Sequence, residues 1–303
     1  MTLKQLEVFV AIAETGSFSS GAEKAGITQS TASQHILGLE KELCIRLFDR
    51  GREGALLTEA GKLFFSRAGK ILSDCAGSRA AIRRFINMED VTLRVGASDI
   101  PGACTIPAIM GSFLKEYPKV RLEVYQGQSL MVLSKLLDEE FELGFVGGRF
   151  DDERILFEQM GEDSLVCAVS PDLNAGRKVS LSQAELCKVP MIAWEDGSGT
   201  HKAVSEALAG TWINNASLTV VARLGSGEAI RRALLNGAGY AFVSEHTISE
   251  ELADGRLTAV RIPGIQITRK FYAARREGRE LSPAAAAFLG TMLSQGSRAK
   301  SVL

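Results

Sequence analysis

The sequence predicts a mixed α/β protein: a helical head carrying one small hairpin, then a larger domain in which strands and helices alternate. Three observations carry this reading. Apolar residues recur at three- and four-residue spacings through the first 43 positions. The run from Thr58 to Asn87 holds no proline and reads as one long helix. From Val91 onward, apolar strand-like runs alternate with helical stretches, as in a parallel sheet covered on both faces.

Composition bounds what the chain can be. At 303 residues and 32.6 kDa it exceeds the ~100–200 residues of a typical domain, so two or three units are expected. The hydrophobic fraction of 46% against 23% charged residues describes an ordinary globular protein. No stretch approaches the ~18 apolar residues of a membrane span. "MTLKQLEVFVAIAETG" sets Lys4, Glu7 and Glu14 among its apolar positions, unlike a secretory signal, so a cytoplasmic protein without a membrane partner is expected. Five cysteines (Cys44, Cys75, Cys104, Cys167, Cys187) form no C-x-x-C pair and there are three histidines, so no metal, disulfide framework or cofactor is expected. A net charge of -1 argues against a nucleic-acid partner unless basic residues are concentrated locally.

In the head, Leu3, Leu6, Phe9, Val10 and Ala13 line one face of a first helix that ends near Gly16. Ser17 or Ser19 caps a second, which stops at Gly26. Thr28 caps a third, whose Ala32, Ile36, Leu39 and Leu43 are expected in the core while Gln29, Ser30, Ser33 and Gln34 face outward. Two short helices joined by a turn, the second presenting hydroxyls and amides, suit insertion into the major groove; an uncharged polar face can equally well do no more than solvate a small bundle. "RLFDRGREGALLTEAG" then reads as a hairpin, a wing with Arg50 and Arg52 at its tip.

These residues, "LKQLEVFVAIAETGSFSSGAEKAGITQSTASQHILGLEKEL" followed by "IRLFDR" and "LTEAG", resemble the winged helix-turn-helix of LysR-type transcriptional regulators over nearly all of Leu3 to Gly61. The resemblance implies that Thr28, Gln29, Ser30, Thr31, Ser33, Gln34 and His35 lie on a recognition helix and Arg50 and Arg52 on the wing, against double-stranded promoter DNA. Cys44 stands where the family usually has glycine, and His35 and Gly38 are unusual choices in that helix. The expected DNA-binding domain is 1–57.

Residues 58–87 form the expected linker helix. Phe64, Ala68, Ile71, Cys75, Ser78, Ile82 and Phe85 alternate steps of four and three, a coiled-coil seam. The resemblance implies that this helix pairs subunits in a homodimer or homotetramer; the same seam would also suit packing on the chain's own second domain. Residues 1–57 hold six Lys and Arg against seven acids, net -1, whereas 58–87 hold six against Glu59 and Asp74, net +4. A single head should therefore bind DNA weakly, and several joined heads should add their contacts.

"VTLRVGAS" opens the remainder as a strand, followed by a loop "SDIPGAC" and a helix through Ile106, Ile109 and Phe113. "VRLEVYQG", "ELGFVGG", "SLVCAVS", "PMIAWE", "LTVVAR", "GYAFVS" and "ITRKFYAARR" read as further strands. The resemblance extends here to a two-lobed, periplasmic-binding-protein-like effector domain over 91–303, with lobe I about 91–161 and 267–303 and lobe II about 162–266. A small-molecule effector is expected between the lobes. Four stretches would line the cleft: Ser98, Asp99, Ile100, Pro101 and Gly102; Gln128 and Ser129; Gly197, Ser198, Gly199, Thr200 and His201; and Ser226 and Gly227. Each ends a strand and starts a helix, where free amides and hydroxyls favour an anion, although each is also ordinary capping chemistry. Asp99 replaces the hydroxyl residue often found in the family; a carboxylate beside an anionic ligand is unfavourable unless it points away or is protonated.

Other classes are weighed on the same residues. An enzyme lacks a visible nucleophile with its base, and "GASDIPG" lacks the G-x-G-x-x-G order, leaving His201 as the one candidate base. A solute-capture protein has no use for the winged segment. A redox-sensing regulator would need Cys104, near a helix start, to have a lowered pKa and Cys167 or Cys187 to resolve it. The expectation is a non-enzymatic, sequence-specific transcriptional regulator controlled by a small, anionic effector.

Overall fold

Three hydroxyl residues start the three helices of the head. Thr2 accepts from the Gln5 amide at 3.2 Å while the Gln5 side chain takes the Thr2 amide, opening α1 (Leu3–Thr15). Ser17 caps α2 (Phe18–Lys24) and Thr28 caps α3 (Gln29–Leu43). In this computed structural model, which describes residues 1–51, 54–173, 179–209, 211 and 218–299, the chain forms two units, Met1–Ile86 and Asn87–Leu303. Gly16 and Gly26 turn the chain out of α1 and α2 with φ of 64° and 68°. Cys44 does the same after α3 with φ 54°, without glycine's freedom.

A hairpin of β1 (Phe48–Gly51) and β2 (Gly54–Leu57) pairs from Phe48 opposite Leu57 to Gly51 opposite Gly54. Thr58 then accepts from the Gly61 amide at 2.9 Å, starting α4 (Glu59–Ile86). Phe9 sits at the centre of the head, 5.2 Å from the Phe48 ring and 5.0 Å from Phe64 of α4. Ala68 is fully buried in the same core, so the first turns of the expected seam are used within the head itself. Leu3 and Leu43, expected in the core, are instead 40% and 37% exposed. They occupy the first turn of α1 and the last position of α3, at helix ends; Val8 and Ile12 are buried instead because α1 is packed by α2, α3 and α4 together.

The second unit runs β3 (Val91–Ala97), a π-helical turn (Pro101–Thr105), α5 (Ile106–Glu116), β4 (Val120–Gln126), α6 (Ser129–Leu137), β5 (Leu143–Val146) and β6 (Ile155–Val169). It continues with α7 (Gln183–Leu186), β7 (Met191–Trp194), α8 (Gly199–Ala209), β8 (Val220–Leu224), α9 (Gly227–Leu235), β9 (Tyr240–Ser244), α10 (Ser249–Ala253), β10 (Thr258–Val260), β11 (Ile267–Arg276) and α11 (Pro283–Ala299). Among the described residues these strands form one sheet in the order β4-β3-β5-β11-β6-β9-β7-β8, with β10 also on β6. β3 is parallel to β4 and β5, and β7 is parallel to β8 and β9.

Two findings differ from the sequence reading. The expected loop "SDIPGAC" is wound into helix from Asp99, because Pro101 at the first turn has no amide to leave unpaired. The strand read as "SLVCAVS" is the second half of a 15-residue β6 that begins at Ile155. β6 and its antiparallel partner β11 thus cross from lobe I to lobe II as continuous strands, with a register shift between Phe271 and Tyr272. Each lobe buries its own core. Phe113, Phe145 and Phe288 meet in lobe I, whereas lobe II buries Tyr240 and Phe242 on one face and Trp194 and Ile230 on the other.

Candidate functional site

The head presents α3 with its buried face set by Ala32, Ile36 and Leu39. Thr28, Gln29, Ser30 and Gln34 are exposed on the other side, and Thr31, Ser33 and His35 are half-buried. The Thr28 hydroxyl lies 3.0 Å from that of Ser30 and 2.8 Å from that of Thr31, and the Gln29 carbonyl accepts from Ser19 at 3.0 Å. Glu40, on the same helix, accepts the Leu47 and Phe48 amides at 2.7 and 3.2 Å and so holds the hairpin against α3. Arg50 lies in β1 opposite Ala55. Arg52 lies outside the described residues.

At the lobe junction, hydrogen bonds tie the two sides together. Asp99 of lobe I accepts the Gly227 amide, the first of α9 in lobe II, at 3.3 Å. Gln128 donates to Glu195, and the Leu130 amide donates to the Gly197 carbonyl at 3.3 Å. Gly199 packs so close to Gly147 that a side chain there would collide with the Gly147 backbone. Burial is the largest influence on Asp99 and holds its carboxyl above the usual 3.8, with the Gly227 amide and the Arg269 charge pulling it back.

Most hydroxyls expected to meet a ligand are engaged within the protein. Ser98, buried, accepts the Gly147 amide at 3.1 Å. Ser198 accepts the His201 amide at 2.9 Å, and Ser226 caps α9 through the Ala229 amide at 3.4 Å. Thr200 is buried against Arg269, which donates to it. The Ser129 hydroxyl is buried without a protein partner. Ile100 and Pro101 pack inside, and Gly102 lies against Gln126. His201 turns toward Asp196, 3.4 Å away, and Ser205, 3.3 Å away.

Sequence reasoning missed the charged centre of this junction. Arg269 on β11 pairs with Asp163, its register partner on β6, at 2.5 Å, and Ser244 donates to the same carboxylate at 3.1 Å. Both charges are buried, and the Arg269 Nε has no protein partner. Removing one member of such a pair costs about 3–5 kcal/mol, because the other charge is left stranded. A signal was present: in "ITRKFYAARR" the two-residue strand period sets Arg269 between Ile267 and Phe271 on the buried face. Beside this pair lies a cavity of about 440 Å³ lined by Arg149, Lys202 and Lys270 together with Gly147, Gly199 and Arg269; Asp151 and Glu206 are its acids. A larger cavity of about 770 Å³, within lobe II between Cys167, Phe242 and Ile267, has Arg261 as its one cation.

The cysteines are placed unfavourably for the redox alternative. Partial burial, then the charges of Asp99 and Asp163, push the Cys104 thiol up, opposite to the lowering that alternative needs. Burial pushes Cys167 up to about 12. Among the described residues no cluster of three or more His, Cys, Asp or Glu side chains could hold a metal ion, and no helix is long and apolar enough to cross a membrane.

Residues 3–62 match the family described as "Bacterial regulatory helix-turn-helix protein, lysR family", and residues 88–297 match the "LysR substrate binding domain". The chain is 33% identical over 300 residues to a probable RuBisCO transcriptional regulator of Nostoc sp., covering 97% of this chain and 88% of that protein. Its fold is similar to that of a full-length OxyR variant from Pseudomonas aeruginosa, with a TM-score of 0.81 at 20% identity over 96% of this chain and 99% of the other. It is also similar to the regulatory domain of Synechocystis CcmR in complex with 2-PG, with a TM-score of 0.60 at 25% identity over 68% of this chain and 97% of the other. A capped helix-turn-helix with its wing, followed by two lobes crossed by paired strands, is matched by both family descriptions along nearly the whole sequence: the chain belongs to the LysR family of DNA-binding transcriptional regulators.

Proposed function

We propose that this regulator reads promoter DNA with α3 and the wing, and that a small anion bound at the lobe junction controls it. The cavity beside Arg269 is the observation that carries the effector reading. It gathers Arg149, Lys202 and Lys270 against Asp151 and Glu206, and it meets a buried guanidinium whose Nε lacks a protein partner. Three cations against two acids leave the cavity net positive beside the self-neutralised Arg269–Asp163 pair, which favours an anion. The relative solved with 2-PG supports an anion of that size as a first probe. The four predicted stretches then act as the frame of the junction, with Ser98, Thr200 and Gly227 holding its walls rather than facing the ligand's charge. On the DNA side, Thr28, Gln29, Ser30, Thr31, Ser33, Gln34 and His35 offer hydroxyl, amide and imidazole groups to base edges, and Arg50 and Arg52 offer charge to the backbone.

A ligand shifts such a protein only by binding one arrangement of the lobes better than another. The role is regulation, not catalysis, and a promoter partner implies the cytoplasm. Two copies would pair through α4. The test is a thermal-shift titration of the full-length protein with 2-PG, phosphate and sulfate. At least one should raise Tm with log concentration, and Arg149→Ala with Lys202→Ala should weaken that response by roughly tenfold or more. An undiminished response in the double variant would move the effector elsewhere.

A further inference from the structure

We propose that Asp99 is a specificity-determining residue: its carboxylate occupies the anion seat at the start of α9, so a ligand's anionic group is confined to the opposite, basic side of the lobe junction. The inference rests on reading that junction as the effector site. α9 is nine residues long and offers its free first-turn amides to the junction. One is used internally, since the Ala229 amide goes to Ser226. Another, that of Gly227, donates to Asp99 Oδ1 at 3.3 Å. The seat is fitted to the carboxylate: a Cβ on Gly227 would stand 2.6 Å from Asp99 Oδ2, so a larger residue would expel it.

Neighbouring charge excludes a second anion. Glu195 approaches the same loop, where a Cβ on Gly225 would lie 2.7 Å from its Oε2, and Gln128 of lobe I donates to it. Arg269 is the nearby cation, and its charge is matched by Asp163. Asp99 and Glu195 place two carboxyl groups at this end, and the Arg269–Asp163 pair adds no net charge to it. The far side of the junction instead gathers Arg149, Lys202 and Lys270. A ligand would therefore lie with its anionic group toward those cations and present a hydroxyl or other donor toward Asp99. The Asp99 carbonyl, held by Gln126 Nε2 at 3.3 Å, keeps the residue in place.

The experiment titrates sulfate into the full-length protein carrying Arg149→Ala, which weakens the basic cavity, alone and combined with Asp99→Ser or Asp99→Asn. Asp99→Ser vacates the α9 seat and leaves a hydroxyl, so the sulfate needed for a given rise in Tm should fall by roughly tenfold. Asp99→Asn keeps an oxygen on the Gly227 amide and should gain little. No gain with Asp99→Ser, or an equal gain with Asp99→Asn, overturns the proposal. Should Asp99→Ser fail to fold, the Gly227 amide resonance decides in the unaltered protein: unmoved by sulfate it supports the proposal, and shifted it overturns it. The cavity reading fails separately, if Arg149→Ala with Lys202→Ala leaves every anion response intact.

Discussion

Asp99 combines a buried carboxyl with one amide and the charge of one guanidinium, and burial is the larger influence. Because its native pKa lies above the usual 3.8, the folded chain holds this proton more tightly than the unfolded chain. Its contribution to stability is therefore fully present below 3.8 and is lost as pH rises through the native pKa. Asp99→Asn retains an acceptor for Gly227 without the charge. Relative to the parent it should gain stability progressively from acid toward neutral pH, read as the gap in Tm across a pH series. A gap that stays constant or runs the other way would show that Arg269, not burial, governs the carboxyl. Asp99 was legible because an acid stands where the family resemblance leads one to expect a hydroxyl residue. Arg269 and Asp163 were harder to find, because their meaning depends on strand register: only pairing β6 with β11 brings residues 106 positions apart into contact.

Helix boundaries followed from local chemistry and were legible for that reason. Ser17 and Thr28 each bond an amide three residues on, and Gly16 and Gly26 supply the left-handed exits. The unbroken β6 was not legible, because its length is decided by pairing with the distant β11 and not by neighbours in sequence. Cys44 lies between these cases: it stands where the family usually has glycine, and its φ of 54° keeps the left-handed ending without glycine's freedom. A non-glycine residue in this conformation costs about 1–2 kcal/mol, part of which glycine returns through its greater unfolded freedom. Cys44→Gly should thus stabilise the head by roughly 0.5–1 kcal/mol. In the full-length protein, globally exchanging amides of α1 and α3 should then exchange about two- to fivefold more slowly. Unchanged exchange would mean that the Cys44 thiol, 3.6 Å from the Lys41 carbonyl, offsets the strain.

Across the whole molecule, the low charge of the head predicts that one copy holds DNA weakly. Residues 1–57 carry net -1, and the positive charge sits on α4 through Lys62, Arg67, Lys70, Arg79, Arg83 and Arg84. The same helix exposes Ile82 at 60%, Phe85 at 46% and Ile86 at 57% in the single chain. Apolar side chains spaced three and four apart on a helix call for a partner surface, and a second copy supplies one without further sequence. Joining two heads converts the second contact into an intramolecular one, which raises affinity by about 10²–10⁴ without any new interaction. Ile82→Asp with Phe85→Asp should therefore dissociate the oligomer and lower affinity for a genomic fragment enriched by the parent protein by roughly that factor. The loss should exceed that of Ser33→Ala, which removes one hydroxyl proposed to meet a base edge and worth about 1–3 kcal/mol at most. Sedimentation and fragment binding at one salt concentration measure both effects together. A monomeric variant that held the fragment as tightly as the parent would assign the affinity to the head itself, and would leave the exposed stripe on α4 without a role in DNA binding.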